Sequence, residues 1–195
     1  MRTFINSLTS RIWSPVLLTN IDDYSKTTRL VIGALLGSIS VILQSAGIFT
    51  GVGYIFSMMT TGPIVLATLL SVRIGCMTYF VTIILLAMVQ PSELLVFPFT
   101  TGLLGLSLGI GINYLKKTLL IVSFSAVSLT LGICLLLYGL KFPVLGPSVS
   151  SRLSVMVIIS IFAFSLLYSW IWLKLSIHAF KIIHKVVFRR LSYGK

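Results

Sequence analysis

The stretch Leu30-Val-Ile-Gly-Ala-Leu-Leu-Gly-Ser-Ile-Ser-Val-Ile-Leu-Gln-Ser-Ala46 decides the fold. It is uncharged throughout and follows the basic residues Lys26 and Arg29. A helix needs about 20 apolar residues to cross the hydrocarbon core of a bilayer. The stretch therefore predicts a first transmembrane helix. At helical spacing Gly33, Ala34, Gly37, Ser38 and Ser45 run along one side, while Leu30, Leu35, Ile39, Ile42 and Leu43 cover much of the rest. In lipid, helices associate by close packing rather than by excluding water, so a small stripe lets another backbone approach. Two readings of Gly33, Ala34, Gly37 and Ser38 stand: a seam inside the protein's own bundle, or a docking surface for a partner protein.

The remainder has the same character. Of the 195 residues 57% are hydrophobic and 9% charged, with a mean hydropathy of +1.09, against about 25% charged in soluble domains. A soluble fold is excluded, and the length leaves room for about five to seven spans and no sizeable soluble domain. The net charge of +12 does not point to nucleic acid. The bases sit at the ends of apolar runs, where they fix orientation and meet anionic headgroups, rather than on a face shared with aromatics. Cys76 and Cys134 lie inside apolar runs and read as small core residues. His178 and His184 fall on different faces of a helical tail, so no metal site and no cofactor is implied.

Outward from the first helix, residues 1–28 form a cytoplasmic or interfacial segment, with Phe4, Ile5, Leu8 and Ile12 at helical spacing beside Arg2 and Arg11 and a stop at Pro15. Asp22 and Asp23 belong to a polar turn or cap. After the first span, Gly47 to Pro63 is broken by glycines and predicts a loop dipping back against the bundle, then a short second helix from about Pro63 to Val72, whose start could lie as early as Val52. Further spans are predicted at Ile74 to Val89, Leu94 to Leu115, Thr118 to Leu140 and Leu153 to Leu173. The fourth carries Gly102, Gly105, Gly109 and Gly111 as helix-packing residues. The fold class is an all-α integral membrane bundle of six helices over residues 29–175, with a basic amphipathic tail over 176–195 expected to lie along the membrane surface.

Chemistry-bearing motifs are few. Gly105-Leu-Ser-Leu-Gly109 matches a nucleophile elbow in letters only, because it falls mid-helix with no His or acid at hand. No phosphate-binding loop is present, so an ATP-driven role needs another subunit. No ionisable group stands mid-span, which argues against a proton-coupled pump. The chain does not read as an enzyme. Polar residues placed to meet a ligand are Gln44, Tyr54, Glu93, Tyr138, Arg152 and Tyr168, with Asn113 toward the opposite end.

A basic flank, a small-faced first helix, a glycine-rich loop, a short second helix after Gly62-Pro63, a glycine-rich fourth helix closing on Lys116-Lys117 and two more spans follow one another over residues 26–175. This layout resembles the substrate-binding S components of energy-coupling factor (ECF) transporters. The resemblance implies uptake of a vitamin or similar small molecule, energised by a separate transmembrane subunit with ATPases. It implies that the first helix docks that subunit, here through Gly33, Ala34, Gly37 and Ser38, which keep the small surface as G-x-x-x-G and A-x-x-x-S but not the family's A-x-x-x-A alanines. It implies a ligand site in the outer half, involving the loop around Gly51, Gly53 and Tyr54 and the later helix ends. The competing reading is a non-transporting multi-span scaffold of a membrane assembly such as envelope or cell-shape machinery, which needs no ligand pocket.

Thirteen of the 15 Lys and Arg residues fall on one side of the six-span arrangement, and only Lys141 and Arg152 on the other. By the positive-inside rule both termini of a cell-membrane protein so charged are cytoplasmic. A cysteine reporter at Ser148 should therefore react with an impermeant thiol reagent applied outside, and one at Lys116 should not; external labelling at Lys116 would overturn the six-span topology.

Overall fold

The computed structural model describes residues 25–48, 52–115, 117–142 and 155–192, and among these there is no strand. Helix α1 (Lys26–Ser45) is capped by Ser25, whose Oγ accepts the Thr28 N–H at 3.1 Å and so satisfies one of the orphan donors of the first turn. A 3-10 turn (Ala46–Ile48) ends it. Helices α2 (Val52–Met59) and α3 (Thr61–Leu70) follow, then α4 (Val72–Val89), a 3-10 turn (Pro91–Glu93), α5 (Val96–Phe99), α6 (Thr101–Tyr114), α7 (Thr118–Cys134) with a π-helical extension (Leu135–Gly139), and α8 (Val155–Ser192). Six stretches are long and apolar enough to cross a membrane: Lys26–Ser45, Gly53–Leu70, Val72–Val89, Pro91–Tyr114, Thr118–Gly139 and Val155–Phe180.

Two expectations are corrected. Most of the glycine-rich segment is helix rather than loop, because α2 resumes at Val52 and only Thr60 separates it from α3. Gly62 and Pro63 occupy the first turn of α3, where backbone N–H groups have no intrahelical acceptor and proline removes nothing. The tail is not set off as a separate helix either. It continues the last span without a break from Val155 to Ser192, about 57 Å at 1.5 Å per residue, close to twice the roughly 30 Å hydrocarbon thickness. The interfacial helix expected near the N-terminus, and with it Asp22 and Asp23, lies outside the described residues.

The short helix α3 is the innermost element. It packs against α1, α4, α6 and α8, and α7 closes the far side against α6 and α8. Thr61, Ile64, Val65, Ala67, Thr68 and Leu69 are all buried on it. Thr68 is met from two directions by glycine. A Cβ on either Gly75 of α4 or Gly109 of α6 would run into the Thr68 side chain. Its hydroxyl donates to the Ile64 carbonyl at 2.7 Å, and its own carbonyl accepts from Asn113 Nδ2 at 2.9 Å, so the crossing leaves no polar atom of Thr68 wanting a partner. Asn113, expected only as a polar residue near the basic end, is thereby a clamp between α3 and α6, since it also donates to the Gly109 carbonyl at 3.0 Å.

The small stripe of α1 is divided between two faces. Gly33, Gly37, Ser40, Val41 and Gln44 are buried, and Thr78 Oγ1 of α4 donates to the Gly33 carbonyl at 3.2 Å. A Cβ on Gly33 would stand 2.6 Å from Ile74 Cγ2. Ala34 and Ser38 point outward beside Leu35 and Ile39. The rule of three or four residues per turn grouped these positions correctly on one half of the helix, but the boundary between packed and open faces runs through the group. Cys76 and Cys134 are free thiols, each half-buried.

Replacing Gly109 with Leu should lower the thermal midpoint of the detergent-solubilised protein by an amount equivalent to about 1–3 kcal/mol or more, because over-packing a tight crossing forces helices apart. An unchanged midpoint would show that α3 and α6 separate without cost.

Candidate functional site

The ends of the helices divide into two sets. Lys26, Arg29, Arg73, Lys117 and Lys174 mark one end of the bundle. The opposite end collects the close of α1, the start of α2, the turn before α5 and the close of α7. At this second end stands a polar cluster built on Gln44, in an interior whose other buried polar side chains, among the described residues, are serine and threonine hydroxyls.

Gln44, in the last turn of α1, is fully buried. Its Nε2 donates to Ser57 Oγ of α2 at 2.8 Å and to Glu93 Oε2 at 2.8 Å, and its Oε1 accepts from Thr101 Oγ1 of α6 at 3.0 Å. Thr61 at the start of α3 extends the chain by donating to the Thr101 carbonyl at 3.3 Å. One amide thus joins four segments distant in sequence. The orientation of the amide is dictated by chemistry: a carboxylate only accepts, so the NH2 side must face Glu93 and the carbonyl side must face the hydroxyl of Thr101.

Local breaks in the helices bring these groups together. The end of α1 tightens into a 3-10 turn at Ala46 and releases Gly47 toward Glu93. The chain between α4 and α6 carries Pro91 and Pro98, and the backbone breaks at Thr100 (φ −122°, ψ −96°). The break frees the Pro98 carbonyl, which accepts from Tyr79 Oη at 2.9 Å, while Phe97 is driven into the core beside Ile64 and Leu86. This corner sets Glu93 against Gln44.

Of the residues expected at a ligand site, Gln44 and Glu93 are brought into direct contact. Gly53 is buried one turn before Ser57, while Tyr54 points outward and is 59% exposed, away from the cluster. Tyr138 is half-buried, with its hydroxyl sealed and without a partner among the described residues. Gly51 and Arg152 lie outside the described residues. Tyr168 donates to the Met58 carbonyl at 3.3 Å at the junction of α2 and α3 rather than at this site. Ser57, Thr61 and Thr101 were missed by sequence reasoning, because hydroxyls in membrane-length helices usually bond to their own backbone, as Thr82, Thr130 and Ser160 do here. The corner-forming prolines flanking Glu93 were the available signal for Thr101.

Among the described residues no group of three His, Cys, Asp or Glu residues is placed to hold a metal ion. The chain matches no family model, no curated protein and no solved structure.

Gln44→Leu fills a similar volume but leaves Glu93, Ser57 and Thr101 without their shared partner. Each buried polar group so orphaned costs about 1–3 kcal/mol, so the thermal midpoint of the variant in detergent should fall well below that of the parent. A midpoint within error of the parent would show that the cluster does not hold the corner.

Proposed function

We propose that the chain is a membrane-embedded, multi-pass substrate-binding subunit of the ECF S-component kind, which presents a small molecule at the Glu93 end and depends on a separate ATPase-bearing partner for energy. The observation that carries this reading is the buried polar junction of Gln44, Ser57, Glu93 and Thr101. In a bundle whose other buried polar side chains, among the described residues, are serine and threonine hydroxyls, a cluster of an amide and a carboxylate at one end, walled by four segments, is where orientation-fixing contacts to a ligand are available. The positive-inside bias puts that end outside the cell membrane and both termini in the cytoplasm. The outward face of α1, with Ala34 and Ser38 between Leu35 and Ile39, is the surface offered to the coupling subunit.

The scaffold reading has its own support, because Gln44 spends both N–H groups and its carbonyl inside the protein and does not itself await a ligand. The two readings differ in what they require of α1 and of a transported molecule. Ala34→Trp adds bulk only to the open face, so the variant should keep the parent's thermal midpoint while losing capture of a transmembrane subunit and its ATPases from host membranes by about tenfold or more, equivalent to about 1.4 kcal/mol of association. Gly33→Leu, by contrast, meets Ile74 and should destabilise the protein itself. Capture of envelope-assembly proteins in place of ATPases, with no uptake in cells expressing the chain, would favour the scaffold.

A further inference from the structure

Helix α2 has little of its own to hold it in place. Among its described side chains Gly53 and Ser57 are buried, while Tyr54, Ile55, Phe56, Met58 and Met59 are exposed. Yet the polar cluster closes only because Ser57 Oγ stands 2.8 Å from Gln44 Nε2. The feature that places Ser57 lies just beyond it, where α2 stops at Met59 and α3 starts at Thr61.

Thr60 keeps helical dihedrals (φ −58°, ψ −26°), so the chain does not turn there and the break is a lapse in hydrogen bonding. The Thr60 N–H closes on the Ser57 carbonyl at 3.2 Å, three residues back instead of four. Pro63 has no N–H to offer the Met59 carbonyl. The Met58 carbonyl is taken from another helix. Among the described residues no backbone bond from Gly62 reaches it, and Tyr168 Oη of α8 donates to it at 3.3 Å.

Tyr168 is the middle rung of an aromatic row on α8. Its ring stacks on Phe164, with centroids 5.5 Å apart, and meets Trp172 edge-on at 6.3 Å. Trp172 is buried and rests on the first turn of α3, where a Cβ on Gly62 would stand 3.3 Å from its ring. The row therefore touches the chain on both sides of Thr60. Trp170 does not belong to it: this ring is exposed and carries Lys174 Nζ 3.6 Å from its centroid.

We propose that Tyr168 is a positioning residue for the polar cluster: by taking the Met58 carbonyl it holds the break at Thr60, and the break sets Ser57 against Gln44 and, through Gln44, against Glu93. The value of that position to a ligand rests on the substrate-binding reading above. The competing state is an unbroken α2–α3 helix, in which the Gly62 N–H reclaims the Met58 carbonyl four residues back. Tyr168 is then released, and Ser57 moves with α2 away from Gln44. Helix α8 supplies no member of the cluster but sets its geometry.

Tyr168→Phe keeps the aromatic row and removes only the donor. The test is amide hydrogen exchange of the full chain in lipid nanodiscs. In the variant, residues 54–59 should exchange about tenfold faster than in the parent while α4 and α7 keep the parent's rates, since a local opening is freed without loss of global stability. Trp170→Leu, on the exposed face of the same helix, should leave residues 54–59 at the parent's rate. A double-mutant cycle of thermal midpoints then asks whether the hydroxyl acts through Ser57. If it does, the fall for Tyr168→Phe with Ser57→Ala is clearly smaller than the sum of the two single falls. Parent-like exchange at residues 54–59, an equal rise in every helix, or additive midpoints would each overturn the positioning role. Each of these would leave the substrate-binding reading standing, because no ligand or partner enters the measurements; failure of the capture and uptake experiments would in turn leave the positioning role to be decided by exchange.

Discussion

The crossing at Thr68 is the constraint on which the rest of the structure depends. Two helix backbones reach the same threonine only because Gly75 and Gly109 carry no Cβ, and this contact draws α4 and α6 against α3 from different sides. In lipid there is no hydrophobic force to compensate for a looser fit, since tails are as apolar as leucine, and closeness of approach is itself the stabilising term. With α3 enclosed in this way, α1 and α8 take the remaining positions around it and α7 closes against α6 and α8. Asn113, half-buried, locks the same crossing with two hydrogen bonds, to the carbonyls of Thr68 and Gly109.

Placement of the polar cluster follows from that packing. Because α3 is short and preceded immediately by α2, the α2–α3 junction brings Ser57 and Thr61 near the end of α1 and the start of α6. The corner at Pro91 to Thr100 then sets Glu93 over Gln44. The network also ties the Glu93 corner to the core that holds the fold. Small displacements at Glu93 are thus resisted through Gln44, Thr101 and Thr61 rather than through a mobile side chain alone.

The tail and the first helix show how far periodicity carries. Lys181, Lys185 and Arg189, four apart, describe an amphipathic helix, and helix is what the backbone forms. An amphipathic pattern alone, however, does not say whether a helix bends into the interface or continues the span before it, because both satisfy the same spacing. On α1, the small residues were legible as a group, but whether each one packs inward depends on where α4 comes to rest. Gly33 and Gly37 meet Ile74 and Thr78, and Ala34 and Ser38 do not.

The sequence by itself determined the helical class, five of the six membrane-length apolar stretches with the second read as a short helix, the positions of their polar and basic ends, and the glycines of α6 as packing residues. These follow from local quantities: the free energy of burying apolar side chains, the cost of a charge in hydrocarbon, and the absence of a Cβ. Gln44 and Glu93 could be singled out as polar residues at span ends, yet nothing local joins residues 49 positions apart. Only the tertiary structure decided that they touch, that Ser57 and Thr101 complete the cluster, and that the glycine-rich segment after α1 is helix from Val52 onward. The physical reason is that hydrogen-bond partners in an apolar interior are assigned by which helices pack together, and that is settled by close approaches such as the one at Thr68, made between residues far apart in the chain.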